Sequence, residues 1–160
     1  MKFLNKLLGI MIMETFEVKW NGYDDEYYVN IPIDNQTLYM AFQLTDWSYD
    51  TVYINVCLGV FNKRKHKDYN ENHVLMTGLN PLATAILARK AFRMLEKETL
   101  DWFNKDRRVI IYCTWLDNVR RDIYYKVLSK MGYRFGTLNG QKVIMKVWTK
   151  GEWFGKDRED

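Results

Sequence analysis

The sequence is poor in the residues that break or cross-link a chain. Its 160 residues include 2 prolines, 9 glycines, 2 cysteines and 2 histidines. So few chain breakers argue against a fold dominated by loops, and so few histidines and cysteines exclude a zinc site of the usual Cys/His spacing. Because Cys57 and Cys113 fall in apolar, strand-like runs, we expect two buried free thiols and a reducing, cytoplasmic location.

The sequence also lacks an apolar run of the roughly 20 residues that a membrane-spanning helix needs. Residues 1–13 come nearest, but they are too short to cross a membrane, and no small-residue cleavage site precedes Glu14. Their leucines recur on one helical face, which predicts a separate amphipathic N-terminal segment. That segment either packs on the body of the protein or docks on a partner or a membrane surface, and a start at Met11 or Met13 is also open.

An excess of one charge is missing as well. Lys and Arg number 24 and Asp and Glu number 20, so the net charge of +4 does not require a nucleic-acid partner. One basic cluster lies in the polar stretch between two predicted strands, at Lys63, Arg64, Lys65 and Lys67. This cluster is either a solvated hairpin tip that resists aggregation or a weak contact for an acidic surface or nucleic acid.

Aromatic residues and alternating apolar patterns are abundant. Aromatics make up 16% of the chain, which favours a compact, ordered domain. In the first half, apolar and polar residues alternate with the period of two that is typical of strands. The predicted strands cover residues 15–20, 27–33, 38–44 and 51–61.

The second half changes to strands that alternate with helices. A strand over 73–77 runs into Gly78, after which Asn80 suits a helix N-cap and Pro81 suits the first helical position. Residues 109–115 are apolar on both faces, as expected for a buried central strand.

A second helix follows from Asp117-Asn118, with Asn118 as a candidate N-cap and Gly132 as the C-terminal cap. The closing strands lie around Phe135 and over 142–148, joined by an Asn139-Gly140 hairpin turn.

This order of elements predicts an α+β fold with a mixed, largely antiparallel sheet and two main helices packed on it. We divide the chain into the segment 1–13, a single domain over 14–150, and a charged tail over 151–160. The tail carries Trp153 and Phe154, which either mark an interface or fold back on the core.

From about residue 73 to residue 147, the chain resembles the GNAT superfamily of acetyl-CoA-dependent N-acetyltransferases. The resemblance rests on the strand that ends in a glycine turn at a helix N-terminus, and on Met131-Gly132-Tyr133, which is similar to the family's Leu-Gly-Phe ending. It implies that acetyl-CoA binds with its pyrophosphate on free backbone N–H groups. The cofactor-binding residues implied are Thr77, Gly78, Leu79, Asn80, Leu82, Ala83 and Asn118.

The chain departs from the family pattern at three positions. Leu75 stands where the family loop has a basic or amide residue, and Asn80 where it has Gly or Ala. Leu128 stands where the family has the Tyr that protonates the departing thiolate. Tyr124 and Tyr125, one to two helical turns earlier, are therefore the implied catalytic candidates.

Two functions follow from the resemblance. The first is N-acetyl transfer to a small amine by direct attack on the thioester, with Glu17, Asp46, Asp50 or His73 as the base. The alternative is a catalytically inactive protein of this fold that binds a protein partner, as an inhibitory or virion-assembly protein of phage origin. Residues 14–50 read as strands instead of the two acceptor-site helices of the family, so the acceptor side is different or absent. The departures at the cofactor loop and at Leu128, the basic cluster and the tail aromatics favour the alternative.

Overall fold

The computed structural model describes residues 16–33, 36–62 and 81–155. The predicted N-terminal segment, the strand over 73–77, the basic cluster at 63–67 and the Gly78 turn lie outside the described residues.

The described residues form one mixed sheet with helices against it. The strands are β1 Lys19–Asn21, β2 Glu26–Ile33, β3 Gln36–Trp47, β4 Thr51–Asn62, β5 Arg108–Cys113, β6 Arg134–Leu138 and β7 Gln141–Trp148. The helices are α1 Pro81–Phe103, α2 Asn118–Leu128 and the short α3 Glu152–Gly155, and a 3₁₀ turn over Ser129–Met131 follows α2.

The seven strands lie in the order β1-β2-β3-β4-β5-β7-β6. All neighbouring strands are antiparallel except β4 and β5, which are parallel because α1 crosses over between them. The predicted α+β fold with a mixed, largely antiparallel sheet is therefore confirmed.

Strand boundaries differ from the prediction at both ends of the meander β1–β4. β1 covers only three residues, because Phe16 leaves the strand to bury its ring in the core at 7% exposure. β3 extends to Trp47 instead of ending at Leu44, and a bulge between Leu44 and Asp46 absorbs the shift in register.

Helices α1 and α2 pack on the same face of the sheet, which we call the covered face. The crossovers β4–α1–β5 and β5–α2–β6 move in the same direction across the sheet, and right-handed crossovers then place both helices on one side. The Phe92 ring of α1 meets Phe42 at 4.9 Å, and Tyr125 of α2 stacks on Phe135 at 4.2 Å. Among the described residues, no helix is long and apolar enough to cross a membrane.

The covered face holds the hydrophobic core. Cross-strand partners such as Val52 and Val109 are fully buried there against Leu95 of α1. Along each strand, the core residues alternate with residues of the opposite face, because successive side chains point to opposite sides of the sheet. The core residues of the strands include Val29, Ile31, Leu38, Met40, Phe42, Ile54, Ile111, Ile144 and Trp148.

The opposite side, which we call the open face, has no helix of the described residues packed on it. Four half-buried tyrosines lie on this side, together with polar residues and the buried apolar residues Ala41, Ile110 and Val143. Neighbouring residues of a strand point to opposite faces, so the register that directs the core residues to the covered face directs these tyrosines to the open face. The tyrosines are Tyr28, Tyr39, Tyr53 and Tyr112.

The ends of the helices and of the last hairpin agree with the local sequence signals, except that the predicted N-cap of α2 was wrong. Asp117, rather than Asn118, is the N-cap of α2, and its Oδ1 accepts a hydrogen bond from the backbone N–H of Arg120 at 2.9 Å. Gly132 closes the segment at φ 91°, a left-handed conformation that glycine adopts without strain. Asn139-Gly140 forms the predicted hairpin turn, with both residues at positive φ.

The tail residues pack back on the molecule through Asn104. This fully buried side chain donates from Nδ2 to the carbonyl oxygens of Arg107 and Thr149, each at 2.9 Å, and accepts from the Trp153 N–H at 2.9 Å. The Trp153 indole is half-buried against the core, whereas Phe154 is 44% exposed. Trp153 therefore folds back on the core, whereas an interface role for Phe154 stays a prediction.

Candidate ligand site at the parting of two parallel strands

The two parallel strands separate partway along the sheet. β4 pairs with β5 from Thr51↔Arg108 to Asn55↔Tyr112. Beyond that pair, β4 continues to Asn62 along β3, while β5 ends at Cys113. Among the described strands, a gap therefore lies between β4 and β5 at their carboxyl end, the place where parallel sheets usually bind ligands, and we call this gap the crevice.

Helix α1 begins at the same end as this crevice. Its last residues lead through Asn104 into the start of β5, at the amino end of the parallel pair. Its 23 residues correspond to a length of about 34 Å, so the helix runs back along the whole sheet. Its N-terminus, with free N–H groups and a positive dipole end, thus lies near the carboxyl ends of β4 and β5.

The predicted cofactor residues are only partly described. Thr77, Gly78, Leu79 and Asn80 lie outside the described residues. Leu82 and Ala83 belong to the first turn of α1, but only their backbone is described. Asn118 is exposed in the first turn of α2, where its Oδ1 accepts a hydrogen bond from the Arg121 guanidinium at 3.3 Å.

The predicted catalytic tyrosines sit on α2 against the covered face. Tyr124 and Tyr125 are both half-buried, and the Tyr125 ring lies flat on Phe135. Leu128, at the position of the family's acid, is part of the core at 8% exposure. Position 128 therefore carries a core residue in this chain.

The structure does not bring the predicted bases together with the crevice. Asp46 and Asp50 flank the β3–β4 turn, at the amino end of β4 and so at the opposite end of the sheet. Hydrogen bonds from the Ser48 and Thr51 hydroxyls hold the pKa of Asp50 below its usual value. Glu17 is exposed near the start of the described chain, and His73 lies outside it.

Polar side chains that sequence reasoning missed lie on the open face where the strands part. The Tyr112 hydroxyl is 3.0 Å from Thr45 Oγ1, and Asn55 stands opposite Tyr112 in the register. Asn55 donates from Nδ2 to Cys57 Sγ at 3.6 Å, while its buried Oδ1 finds no hydrogen-bond partner in the described part of the chain.

Exposed apolar side chains lie around the carboxyl end of β5 and on the neighbouring β6. Leu116 is 70% exposed, Val119 is 66% exposed and Phe135 is 48% exposed. The Trp115 ring lies 6.0 Å from that of Phe135. A sequence signal for this patch existed, because Trp115 and Leu116 are large apolar residues placed between a buried strand and a helix cap.

Buried titratable groups limit the chemistry of the molecule. Burial raises the pKa of Cys113 to about 12, so this thiol is not a nucleophile at neutral pH. Burial also raises the pKa of Tyr133, whose hydroxyl donates to Glu96 Oε2 at 2.6 Å. Glu26, at 6% exposure on the open face, has a pKa raised mainly by burial and accepts a hydrogen bond from Tyr39.

The chain matches no protein-family model, no curated protein and no solved structure. Within residues 16–33, 36–62 and 81–155, no group of His, Cys, Asp and Glu is placed to hold a metal ion.

Proposed function

We propose that the chain binds acetyl-CoA in the crevice between β4 and β5 and transfers its acetyl group to an amine. The observation that carries this proposal is the parting of the parallel strands after Asn55 and Tyr112, at the end where α1 begins. Beyond that point, no strand of the described residues pairs with the β5-facing side of residues 56–62. The amide groups of the pantetheine arm can pair with such an edge as an added strand does.

The pyrophosphate of the cofactor would lie at the N-terminus of α1, where free N–H groups favour an anion. The resemblance to N-acetyltransferases over residues 73–147 supports this orientation. The order of the elements, with a crossover helix between the parallel strands, agrees with it.

The proposed reaction is a direct transfer. The neutral amine attacks the thioester carbonyl carbon, the C–N bond forms, the C–S bond breaks, and the proton lost by the amine ends on the CoA sulfur. A backbone N–H at the β4 edge stabilises the oxyanion that develops on the carbonyl oxygen. Tyr112, which belongs to the last β4–β5 pair, is one candidate donor, and Tyr124 and Tyr125 are the donors implied by the resemblance.

A second candidate function is a binding protein that has kept this fold without catalysis. The observation that favours it is Leu128, buried in the core at the position where the family has its acid. The tyrosine-bearing open face, where the family's acceptor helices have no counterpart in residues 16–50, agrees with it. Such a protein would act on a protein partner, as an inhibitor or a virion-assembly factor of a phage.

Calorimetric titration of the full chain with acetyl-CoA separates the two functions. We expect saturable binding that Gly78→Trp abolishes, because a bulky side chain would fill the phosphate turn implied by the resemblance. Gly155→Trp is the matched control, since an added Cβ there meets nothing within 4 Å and the residue is exposed. Absence of binding heat and of thermal stabilisation at millimolar acetyl-CoA would contradict the acetyltransferase and favour the binding protein.

Single-turnover kinetics identifies the proton donor. Phenylalanine replaces Tyr112, Tyr124 or Tyr125 in separate variants, and we expect the donor's replacement alone to lower the rate by about 10²-fold or more. Equal rates in all three variants would show that no tyrosine of this set donates the proton.

A further inference from the structure

Exposed aromatic side chains gather at the end of the sheet opposite the crevice. Two lie in β1 and the turn after it, two at the β3–β4 turn, one in the last turn of α1 and one in α3. We call this set the aromatic end. Its members, with their exposures, are Trp20 48%, Tyr23 97%, Trp47 59%, Tyr49 97%, Trp102 71% and Phe154 44%.

Backbone and side-chain hydrogen bonds join these segments into one surface. The Leu44 N–H donates to the Asp25 carbonyl at 2.8 Å, and the Arg108 N–H donates to the Asp50 carbonyl at 2.9 Å. Asn104 fixes the end of α1 to the end of β7 and the start of α3. The Arg107 guanidinium lies 4.9 Å from the Trp47 ring centroid, which links the β3–β4 turn to the start of β5.

The area of this surface is close to that of one side of a stable interface. An aromatic side chain buries about 150–250 Å² when it is covered, so the exposed parts of these six amount to about 800 Å². A standard interface buries about 800 Å² on each partner. Trp, Tyr and Arg are also the residues that most often carry binding energy.

The charges around the aromatic end are divided between its two sides. The β1–β4 side carries Asp24, Asp25, Asp46 and Asp50 at or beside its two turns. The β5–β7 side carries Lys105, Arg107, Arg108 and Lys150 together with three carboxylates, Asp101, Asp106 and Glu152, of which Asp101 forms an ion pair with Lys97. A twofold rotation of a second copy places the acidic side of each chain opposite the basic side of the other.

We propose that two copies of this chain associate through their aromatic ends to form a twofold-symmetric dimer. The aromatic side chains form the centre of the interface and the divided charges set its register. The crevice between β4 and β5 lies at the far end of each protomer and stays open in such a dimer. The dimer therefore does not depend on the acetyltransferase activity proposed above.

Sedimentation equilibrium of the full chain, from low micromolar to submillimolar concentration, tests the dimer. We expect a monomer–dimer equilibrium in which Trp102→Ser weakens association by about tenfold or more. Leu116→Ser is the matched control, because Leu116 is as exposed as Trp102 but lies at the crevice end. A chain that stays monomeric throughout, or a dimer that only Leu116→Ser weakens, would overturn the proposal.

Charge reversal tests the register of the two copies. The pair Asp24→Lys with Asp46→Lys makes both sides basic, and the pair Lys105→Glu with Lys150→Glu makes both sides acidic. We expect each variant alone to be monomeric and an equimolar mixture of the two to form a heterodimer. Two folded variants that remain monomeric when mixed would overturn this arrangement.

Hydrogen–deuterium exchange of the unmodified chain tests the same contact without substitution. On going from low to high concentration, we expect added protection in the turns over 22–25 and 47–50. Concentration-dependent protection confined to other segments would overturn the proposal.

Discussion

One face of the sheet is covered by α1 and α2 and holds the apolar core, whereas the other carries half-buried tyrosines and amides without a described helix. The covered face uses Val, Ile and Leu in direct cross-strand register, such as Ile54 with Ile111. The open face puts Asn55 beside Tyr112 in the adjacent positions of the same two strands. The same two strands thus place buried aliphatic pairs on one face and the polar pair of Asn55 and Tyr112 on the other, because successive side chains point to opposite faces.

The two cysteines provide the largest expected difference between the faces. Cys113 lies on the covered face with a pKa of about 12, so at pH 8 about one molecule in ten thousand carries its thiolate. Cys57 lies half-buried on the open face. We expect a thiol reagent to label one cysteine rapidly in the folded protein and none rapidly in Cys57→Ser; fast labelling of both thiols would contradict the assignment of faces.

Removing core volume from the covered face is expected to have the largest effect on stability. Leu95 of α1 is fully buried, and Leu95→Ala should lower the free energy of unfolding by about 2–5 kcal/mol in urea denaturation. Arg93→Ala, an exposed site on the same helix, should change it by at most about 0.5 kcal/mol. Similar losses in the two variants would mean that α1 does not cover the core.

Removing one hydroxyl from each face compares the two environments with the same chemical change. Tyr133→Phe removes the hydrogen bond that the buried Tyr133 hydroxyl donates to the Glu96 carboxylate and should cost about 1–2 kcal/mol. Tyr112→Phe removes only the contact with the exposed Thr45 and should cost about 0.5 kcal/mol or less. Urea denaturation of both variants measures the difference, and a larger loss in Tyr112→Phe would reverse the comparison.

The smallest expected effect concerns Glu26 on the open face. Its folded pKa is raised, chiefly by burial, so its proton binds more tightly in the folded state. The stability it contributes is fully present below its unfolded pKa and is lost as pH rises through the folded pKa. Glu26→Gln should therefore raise the melting temperature slightly at neutral pH and leave it unchanged at acidic pH; a drop at neutral pH would contradict this sign.

Much of the fold was predictable because local patterns and tertiary packing agree in it. The alternation over 51–61 gave β4, and the apolar run beginning at Val109 gave the buried β5. Asn139-Gly140 specified its hairpin through backbone conformations that few other residue pairs adopt. The bounds of β1 and β3 were not predictable, since they depend on where Phe16 finds a core position and on a bulge.

The candidate site was harder to predict than the fold. Pairing between β4 and β5 stops at Asn55 and Tyr112, where the two strands diverge. The point of divergence depends on the path of the strands in space, and no local sequence pattern encodes it. Asp46 and Asp50 carry the carboxylates that a base needs, but they flank the β3–β4 turn at the amino end of β4, which is the end of the sheet opposite the crevice. The resemblance to a family predicts a site at the Gly78 turn and implies no role for Trp115 and Leu116.

The single parallel pairing also shapes the order in which the molecule can fold. β2, β3 and β4 join through short connections, so their antiparallel ladders form at little cost in chain entropy. β5 meets β4 only after the long segment that contains α1 has closed, and such non-local contacts are slow to form. We therefore expect the meander to be structured early in refolding, with docking of β5 as the later, rate-limiting event.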